Sequence, residues 1–600
     1  MLGAFVLVSR KKNFLSFFQD GRWWLTWFAI AIITLMDELT SIYYAPFEAY
    51  RFIGIRAIVY IALTSLFIRV ISTRMVEIAE ILEVNNLKGG GVYSFSYLVL
   101  GPSASFIAAA SILVVYVLTA AMSTVSAVEN GTTFTAMLPQ TKYVLKFAVV
   151  WLIAGLNILG IRENAKFTFS IFVVGSLAIV NLVVGGLFSL GPESIHQIGE
   201  SVRLTISDVK GPSFFAAYGN VIAGIGSCIL AYSGIESVLQ TASLARSWHT
   251  IRKAYLFLAL SVGIVTPLIA LLALSSTTHL EGHPTDLIPA FAGLANGRLF
   301  GIFVSVLASL TLIMAVNTAM VASAELIEKI AERYSYHWLI RMNRRQSLYR
   351  VHLFNALFYS LIILLTNGSQ ELLAQMYAIG LVASFSINMF SLLIYKYAKG
   401  TKEISYRTSR IGTLVIFILL LSIFGYIAMN RLYGTGLWLS MAVLFLVGGW
   451  RISKYRAPEI PVRRITHTPM DVMFAVVAMP SDDVHVYLSR PRENVGSGEA
   501  GKSIYVSFYA PRRDQPNKEL PNHFWLSIQN RASLFTMILG LLETLSYDVP
   551  VEKRVHIHFG WPLSSWWDRM SIGIMVFNIM RLPKRFPQLR FHIDYFAEEK

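Results

Sequence analysis

A single cysteine, Cys228, stands among 600 residues, so no intramolecular disulfide can form. No Cys/His cluster has the spacing of a zinc site either. Charge is scarce: Asp, Glu, Lys and Arg make up 14% of the chain, against about 25% in ordinary soluble proteins. Hydrophobic residues reach 55% and mean hydropathy is +0.56. So few charges cannot solvate 600 residues of soluble domains, and a polytopic membrane protein is expected. GSGEAGKS at 496–503 has the form GxxxxGK[ST], but the segment that follows, 503–509, reads as a strand where a phosphate loop opens a helix, so no built-in ATP motor is expected and a partner ATPase stays open. HExxH does not occur, which leaves an intramembrane metalloprotease without support. No short apolar stretch with a small-residue cleavage site follows Arg10, Lys11 and Lys12, so no cleaved signal peptide is expected. No cofactor is expected, and the chain reads as a non-enzyme.

What is present is a series of long apolar runs. They fall near 24–46, 53–74, 104–129, 143–161, 167–190, 214–242, 255–276, 299–326, 352–367, 372–395, 410–430 and 436–451. Most approach the ~20 residues that a helix needs to cross a bilayer core. Lys and Arg exceed Asp and Glu by 51 to 35, a net charge of +16. The excess collects in alternate loops. Arg10, Lys11, Lys12 and Arg22 precede the first run, and Arg333, Arg341, Arg344, Arg345 and Arg350 follow the eighth. The opposite loops are poorer: 277–298 carries only Arg298 and 130–142 only Lys142. Basic loops stay in the cytoplasm, so twelve spans with both termini cytoplasmic are expected. The charge is thereby assigned to the face of a lipid bilayer, with no nucleic-acid partner.

From about residue 452 the runs shorten and charges return. Segments 470–479, 503–509, 554–559 and 590–596 read as short strands, and 524–546 and 565–581 as helices. The domain reading is a cytoplasmic N-terminal segment 1–23, a membrane domain 24–451 and a cytoplasmic α/β domain 452–600.

Acids inside apolar runs carry the most information, because each costs at least a few kcal/mol in hydrocarbon. The first run holds Asp37 and Glu38, followed by Thr40, Ser41, Tyr43 and Tyr44; the sixth holds Tyr232-Ser233-Gly234-Ile235-Glu236. Gly234 tolerates a broken helix, and interrupted helices near the midplane expose carbonyls and half-helix ends to an ion or substrate. Adjacent helical residues point ~100° apart, so one of Asp37 and Glu38 faces away from any shared site. The competing reading places such acids at the interface and has the small polar residues only gluing helices together. Gly89-Gly90-Gly91 lacks the context of a phosphate loop and reads as a hinge or close-packing element.

Three segments in order, LKGGGVYSFSYLVLG at 87–101, LNILGIRENAKF at 156–167 and AYSGIESVLQTASLARSW at 231–248, resemble the amino acid–polyamine–organocation superfamily. The resemblance covers roughly 24–451 and implies an all-α, LeuT-like inverted repeat of five plus five helices with two extra helices, hence a secondary transporter. The first run, MDELTSIYYAPFEAY at 36–50, is similar to that of the KimA-type potassium–proton symporters. Carried over residue by residue, the ion site falls on Asp37, Tyr44, Thr119, Ser123, Ser233, Glu236 and Tyr377, with Gly234 at the break. One position departs: where those symporters carry an acid, just before Tyr116, stands Val115. The resemblance implies proton-coupled uptake of a small cation such as potassium, the only metal expected, as a transported ion. It also implies a homodimer and a nucleotide regulator of the C-terminal domain. Val115 keeps a proton-coupled amino acid permease open, and a transporter-like sensor is the third reading.

Overall fold

The structure is a computed structural model that describes residues 27–84, 91–100, 102–160, 165–240, 247–276, 282–333, 336, 338–345, 347–398, 404–455, 467–489, 501–509, 522–527, 534–550, 552–560 and 582–594. The chain divides into two compact units, one running to Arg456 apart from Tyr397–Gly400, the other from Ala457 onward.

The first unit is helical. Helix α1 (Trp27–Thr40) runs into a 3-10 turn, Ser41–Tyr43, and α2 (Ala45–Ile53) starts after Tyr44. Pro46 lies in the first turn of α2, where a missing N–H has no intrahelical partner to lose. A second 3-10 turn, Gly54–Arg56, leads into α3 (Ala57–Val84), followed by α4 (Gly91–Leu100), α5 (Pro102–Gly131), α6 (Pro139–Ile158), α7 (Ala165–Phe188) and α8 (Pro192–Lys210). Helix α9 (Phe214–Cys228) gives way to a 3-10 turn, Ile229–Tyr232, and the short α10 (Ser237–Gln240). Then come α11 (Trp248–Leu274), α12 (Leu287–Asn296), α13 (Arg298–Arg333), α14 (Tyr349–Leu365), α15 (Gln370–Ala398), α16 (Arg410–Asn430) and α17 (Leu432–Tyr455).

Among the described residues, ten helical stretches are long and apolar enough to cross a membrane, with α2 and α3 forming one continuous stretch of 40 residues. Two expected spans are shorter: α1 has 14 residues and α14 has 17. The most extensive helix pairs are α5 with α13 and α3 with α11. All four helices contribute to one buried apolar cluster, among them Val114, Leu118 and Met122 of α5 and Leu312, Val316 and Met320 of α13. Of the glycine triplet, Gly89 and Gly90 lie outside the described residues.

The second unit carries a five-stranded, wholly parallel sheet. Helix α18 (Pro469–Ala478) precedes β1 (Asp483–Ser489), β2 (Ser503–Tyr509) and β3 (His523–Ser527); α19 (Leu534–Asp548), β4 (Arg554–Gly560), α20 (Leu582–Arg585) and β5 (Arg590–Asp594) follow. The strand order is β3-β2-β1-β4-β5. One face is apolar: Val484, Val486, Leu488, Ile504, Val506, Leu526, Val555, Ile557 and Phe559 are buried in one cluster with α18 and α19. Two expectations are corrected. Segment 470–479 is not a strand but α18, because Thr468 and Asp471 close a capping box and Val472, Met473 and Val476 bury one helical face. Segment 524–546 is not one helix: it opens as β3, paired in register with β2, before α19 begins. Strands 503–509 and 554–559 fall where expected, as does 590–594 of the last; residues 595–596 and the expected helix 565–581 lie outside the described residues.

The opposite face of this sheet carries a histidine ladder. His485 Nδ1 meets His558 Nε2 at 2.9 Å and His556 Nδ1 meets His592 Nε2 at 2.8 Å. The rings of His558 and His592 stack at 4.6 Å, and Tyr487 lies on His558 at 4.5 Å. Burial holds His556 below the ordinary imidazole range; His485, His592 and Arg590 push the same way, and Asp483 opposes them. A hydrogen bond between two imidazoles needs one bare nitrogen, so a doubly protonated pair cannot keep it. The folded pKa of His556 is depressed, so the unfolded chain binds more protons once pH falls through ~6.5, and stability falls with it. Amide exchange in β1, β4 and β5 of the full-length protein should therefore be less protected at pH about 5.5 than at about 7.5, after correction for intrinsic rates. Equal protection at both values would contradict this reading.

Candidate functional site

The two interruptions lie against each other: the Ser41–Tyr43 turn packs on the Ile229–Tyr232 turn. Ser41 joins them. Its hydroxyl sits 2.7 Å from the carbonyl of Glu38 and 2.7 Å from that of Ala231, so its single proton serves a carbonyl freed by either break. The Tyr44 and Ser233 hydroxyls meet at 3.0 Å, and both residues are buried. Ser233 is extended, and Gly234 takes φ +102, a conformation that a residue with a side chain adopts only under strain. The Gly234 N–H donates to Glu236 Oε2 at 3.1 Å, and its carbonyl accepts from the Ser237 hydroxyl at 2.6 Å. Glu236 is thus a buried acid folded back onto the break that positions it.

A second hydroxyl pair bridges α5 and α15. Thr119 Oγ1 lies 2.8 Å from the Tyr377 hydroxyl and 2.9 Å from the Val115 carbonyl. Ser123, one turn further along α5, is 1% exposed, and its Oγ has no hydrogen-bond partner among the described residues. Val115 is buried, with a methyl group against Gly380 of α15. At the position where an acid was expected the helices therefore close on apolar contact.

The side chain of Asp37 lies outside the described residues. Its neighbour Glu38 is 1% exposed, at the end of α1. The sequence reading also did not select a polar line leading away from the Thr119–Tyr377 pair. Ser126 donates to Gln370 Oε1 at 2.9 Å, the Gln370 amide reaches Glu48 Oε1 at 3.4 Å, and Arg51 joins Glu48 at 3.1 Å to Glu371 at 3.0 Å. The signal was periodicity: Thr119, Ser123 and Ser126 recur at i, i+4 and i+7, and Gln370 and Tyr377 at i and i+7, each set on one helical face.

Hydroxyls, carbonyls and carboxylates make up this constellation. Such hard oxygen donors suit an alkali cation, and the exposed ends of broken helices also suit the charged groups of a small organic substrate. Among known proteins, the Potassium transporter KimA of Bacillus subtilis (strain 168) is 24% identical over 464 residues, an alignment that covers 75% of this chain and 73% of the relative. The family model for Amino acid permease matches residues 21–449. That match takes in both broken helices, both hydroxyl pairs and every long apolar helix, so the chain belongs to the amino acid permease family of membrane transporters.

Proposed function

We propose that the chain is a secondary active transporter that takes up a small monovalent cation, potassium first, driven by protons. The observation that carries this is that oxygen-to-oxygen hydrogen bonds join the two broken helices, with Ser41 on the Ala231 carbonyl and Tyr44 on Ser233. Potassium binding needs oxygens in place of water, and their number and placement set selectivity. In this reading Asp37, Tyr44, Thr119, Ser123, Ser233, Gly234, Glu236 and Tyr377 form the path and site, and a desolvated carboxylate carries the coupled proton. The similarity to a potassium transporter supports the choice of ion.

We read twelve spans in a LeuT-like five-plus-five repeat, counting α1 with α2 as the first and α14 as the ninth. Under a five-span offset the broken first span matches the broken sixth, and the two most extensive pairs, α3 with α11 and α5 with α13, match second with seventh and third with eighth. The domain limits proposed are 1–23, 24–451 and 452–600, in the cell membrane with both termini cytoplasmic. The C-terminal domain is the regulatory part of a homodimer in this reading. Its sheet reverses direction of growth between β1 and β4, the place where open α/β sheets take ligands such as nucleotides.

One observation favours a second reading, an amino acid permease: Val115 supplies no carboxylate, and the substrate's own charged groups would then meet Ser233, Gly234 and the freed carbonyls. Purified full-length protein in liposomes decides between them. With an imposed proton gradient it should accumulate Rb⁺ as a potassium tracer. Gradient-driven amino acid uptake without alkali-cation uptake would replace the first reading with the second.

A further inference from the structure

Residues 404–408 run as a strap between α15 and α16, and α3 takes up their polar groups. Ile404 is 2% exposed, Tyr406 and Thr408 are half-buried, and Ser405 and Arg407 are exposed. Glu80 Oε1 accepts the Ser405 N–H at 2.8 Å and its hydroxyl at 2.5 Å, and Glu80 Oε2 accepts the Tyr406 N–H at 2.7 Å. One turn earlier on α3, Glu77 Oε2 accepts the Thr408 N–H at 3.2 Å and its hydroxyl at 2.6 Å. Lys396 of α15 pairs with the same Glu77 oxygen at 2.8 Å and donates to the Thr408 carbonyl at 2.9 Å. The Tyr406 ring lies 5.8 Å from that of Trp248 and 5.3 Å from the Arg252 guanidinium, both on α11. Five residues thus tie α3 and α11 to α15 and α16.

Glu80 anchors the strap through its charge. It is 3% exposed, and among the described residues no basic side chain lies within ion-pair distance of it. Two backbone N–H groups and one hydroxyl of the strap meet its charge. A buried carboxylate without those donors is strongly unfavourable, so lifting the strap requires water to reach the end of α3. Helix α11 packs on α1 and α10, and α3 packs on the Ile229–Tyr232 turn, so the elements that the strap holds are those that surround the breaks. Rocking of such a bundle against the rest of the fold has to part these contacts.

We propose that residues 404–408 are the cytoplasmic latch of the transport cycle: seated on Glu77 and Glu80 they hold α3 and α11 to α15 and α16, and they lift when the site opens inward. The inference rests on the transporter reading above, and its test separates the two. In full-length protein with Cys228→Ser, so that no native thiol remains, Glu80→Cys and Ser405→Cys are joined by a short bis-methanethiosulfonate reagent. Gradient-driven Rb⁺ uptake should fall at least about tenfold and recover on reduction. Cross-linked protein that transports at the rate of the same protein before cross-linking overturns the latch. A second arm needs no transport. With Ile404→Cys as the sole thiol, a soluble maleimide should react at least about fivefold faster when Glu80→Gln is added. Where Glu80→Gln aggregates on size exclusion, Ser405→Pro replaces it and deletes the N–H donor. Equal rates overturn the latch. If the parent protein moves neither Rb⁺ nor amino acids, the transporter reading fails and the maleimide rates alone decide whether Glu80 holds the strap.

Discussion

Glu236→Gln in the full-length protein should cut the initial rate of proton-driven Rb⁺ uptake by about 30- to 150-fold, with little loss of folded protein. Oε2 of Glu236 is the acceptor for the Gly234 N–H, and glutamine keeps an oxygen in that place, so the break survives the substitution. What goes is the formal charge. At an effective dielectric near 20, a carboxylate 4 Å from a monovalent cation is worth ~4 kcal/mol. Water and the neighbouring carbonyls screen part of this, which leaves ~2–3 kcal/mol and the stated loss at ~1.4 kcal/mol per tenfold. Glu236→Asp keeps the charge but shortens the reach and should fall between. A Gln variant that transports at the parental rate would remove Glu236 from the cation path, and the Tyr44–Ser233 pair would then have to act without it.

The largest effect on stability is expected at Glu77→Ala. Lys396 is 1% exposed and Glu77 fully buried, and their ion pair is 2.8 Å long. Removing one partner of such a pair leaves a buried charge uncompensated, at ~3–5 kcal/mol. Lys396 also donates to the hydroxyls of Thr408 and Thr413 at 2.8 and 3.3 Å, so the ammonium keeps polar contacts that cannot neutralise it. Intrinsic tryptophan fluorescence during thermal unfolding of the purified protein should show a clear drop in midpoint. Adding Lys396→Met should restore much of it, because the unpaired charge is then gone. If the double variant is no more stable than Glu77→Ala alone, the cost lies in lost contacts to the strap and not in the charge.

The parts of this molecule legible in the sequence are those written as local chemistry. Asp37 and Glu38 with the following hydroxyls, and Ser233-Gly234 before Glu236, announced two interrupted helices, and the interruptions fall at Ser41–Tyr43 and Ile229–Tyr232. Strands such as 503–509 were legible because their apolar residues alternate with period two. Segment 470–479 defeated the same reasoning: ten mostly apolar residues fit a buried strand and a helix equally well, and the deciding signal was the Thr468–Asp471 cap just ahead of them. Glu48, Glu77 and Glu80 were passed over for a different reason. Each lies toward the end of a helix, where a carboxylate in the sequence is indistinguishable from one at the lipid–water boundary. Only tertiary contacts, Gln370 for Glu48 and Lys396, Ser405, Tyr406 and Thr408 for the other two, reveal that they are buried.

The strand order of the C-terminal unit has a consequence for biosynthesis. Strand β1 is the central strand, and its pairing with β4 joins residue 483 to residue 554. When β1 leaves the ribosome, one of its edges must wait for some seventy further residues, on the order of ten seconds at ordinary elongation rates. During that interval a Val- and Leu-bearing strand with open N–H and C=O groups is a template for any passing edge. Helices α16 and α17 precede it in the chain, so membrane insertion ends before this sheet can close. A C-terminal deletion that removes β5 would move the exposed edge to β4 and make it permanent, and chaperone dependence and aggregation during synthesis should rise even where the membrane helices assemble normally.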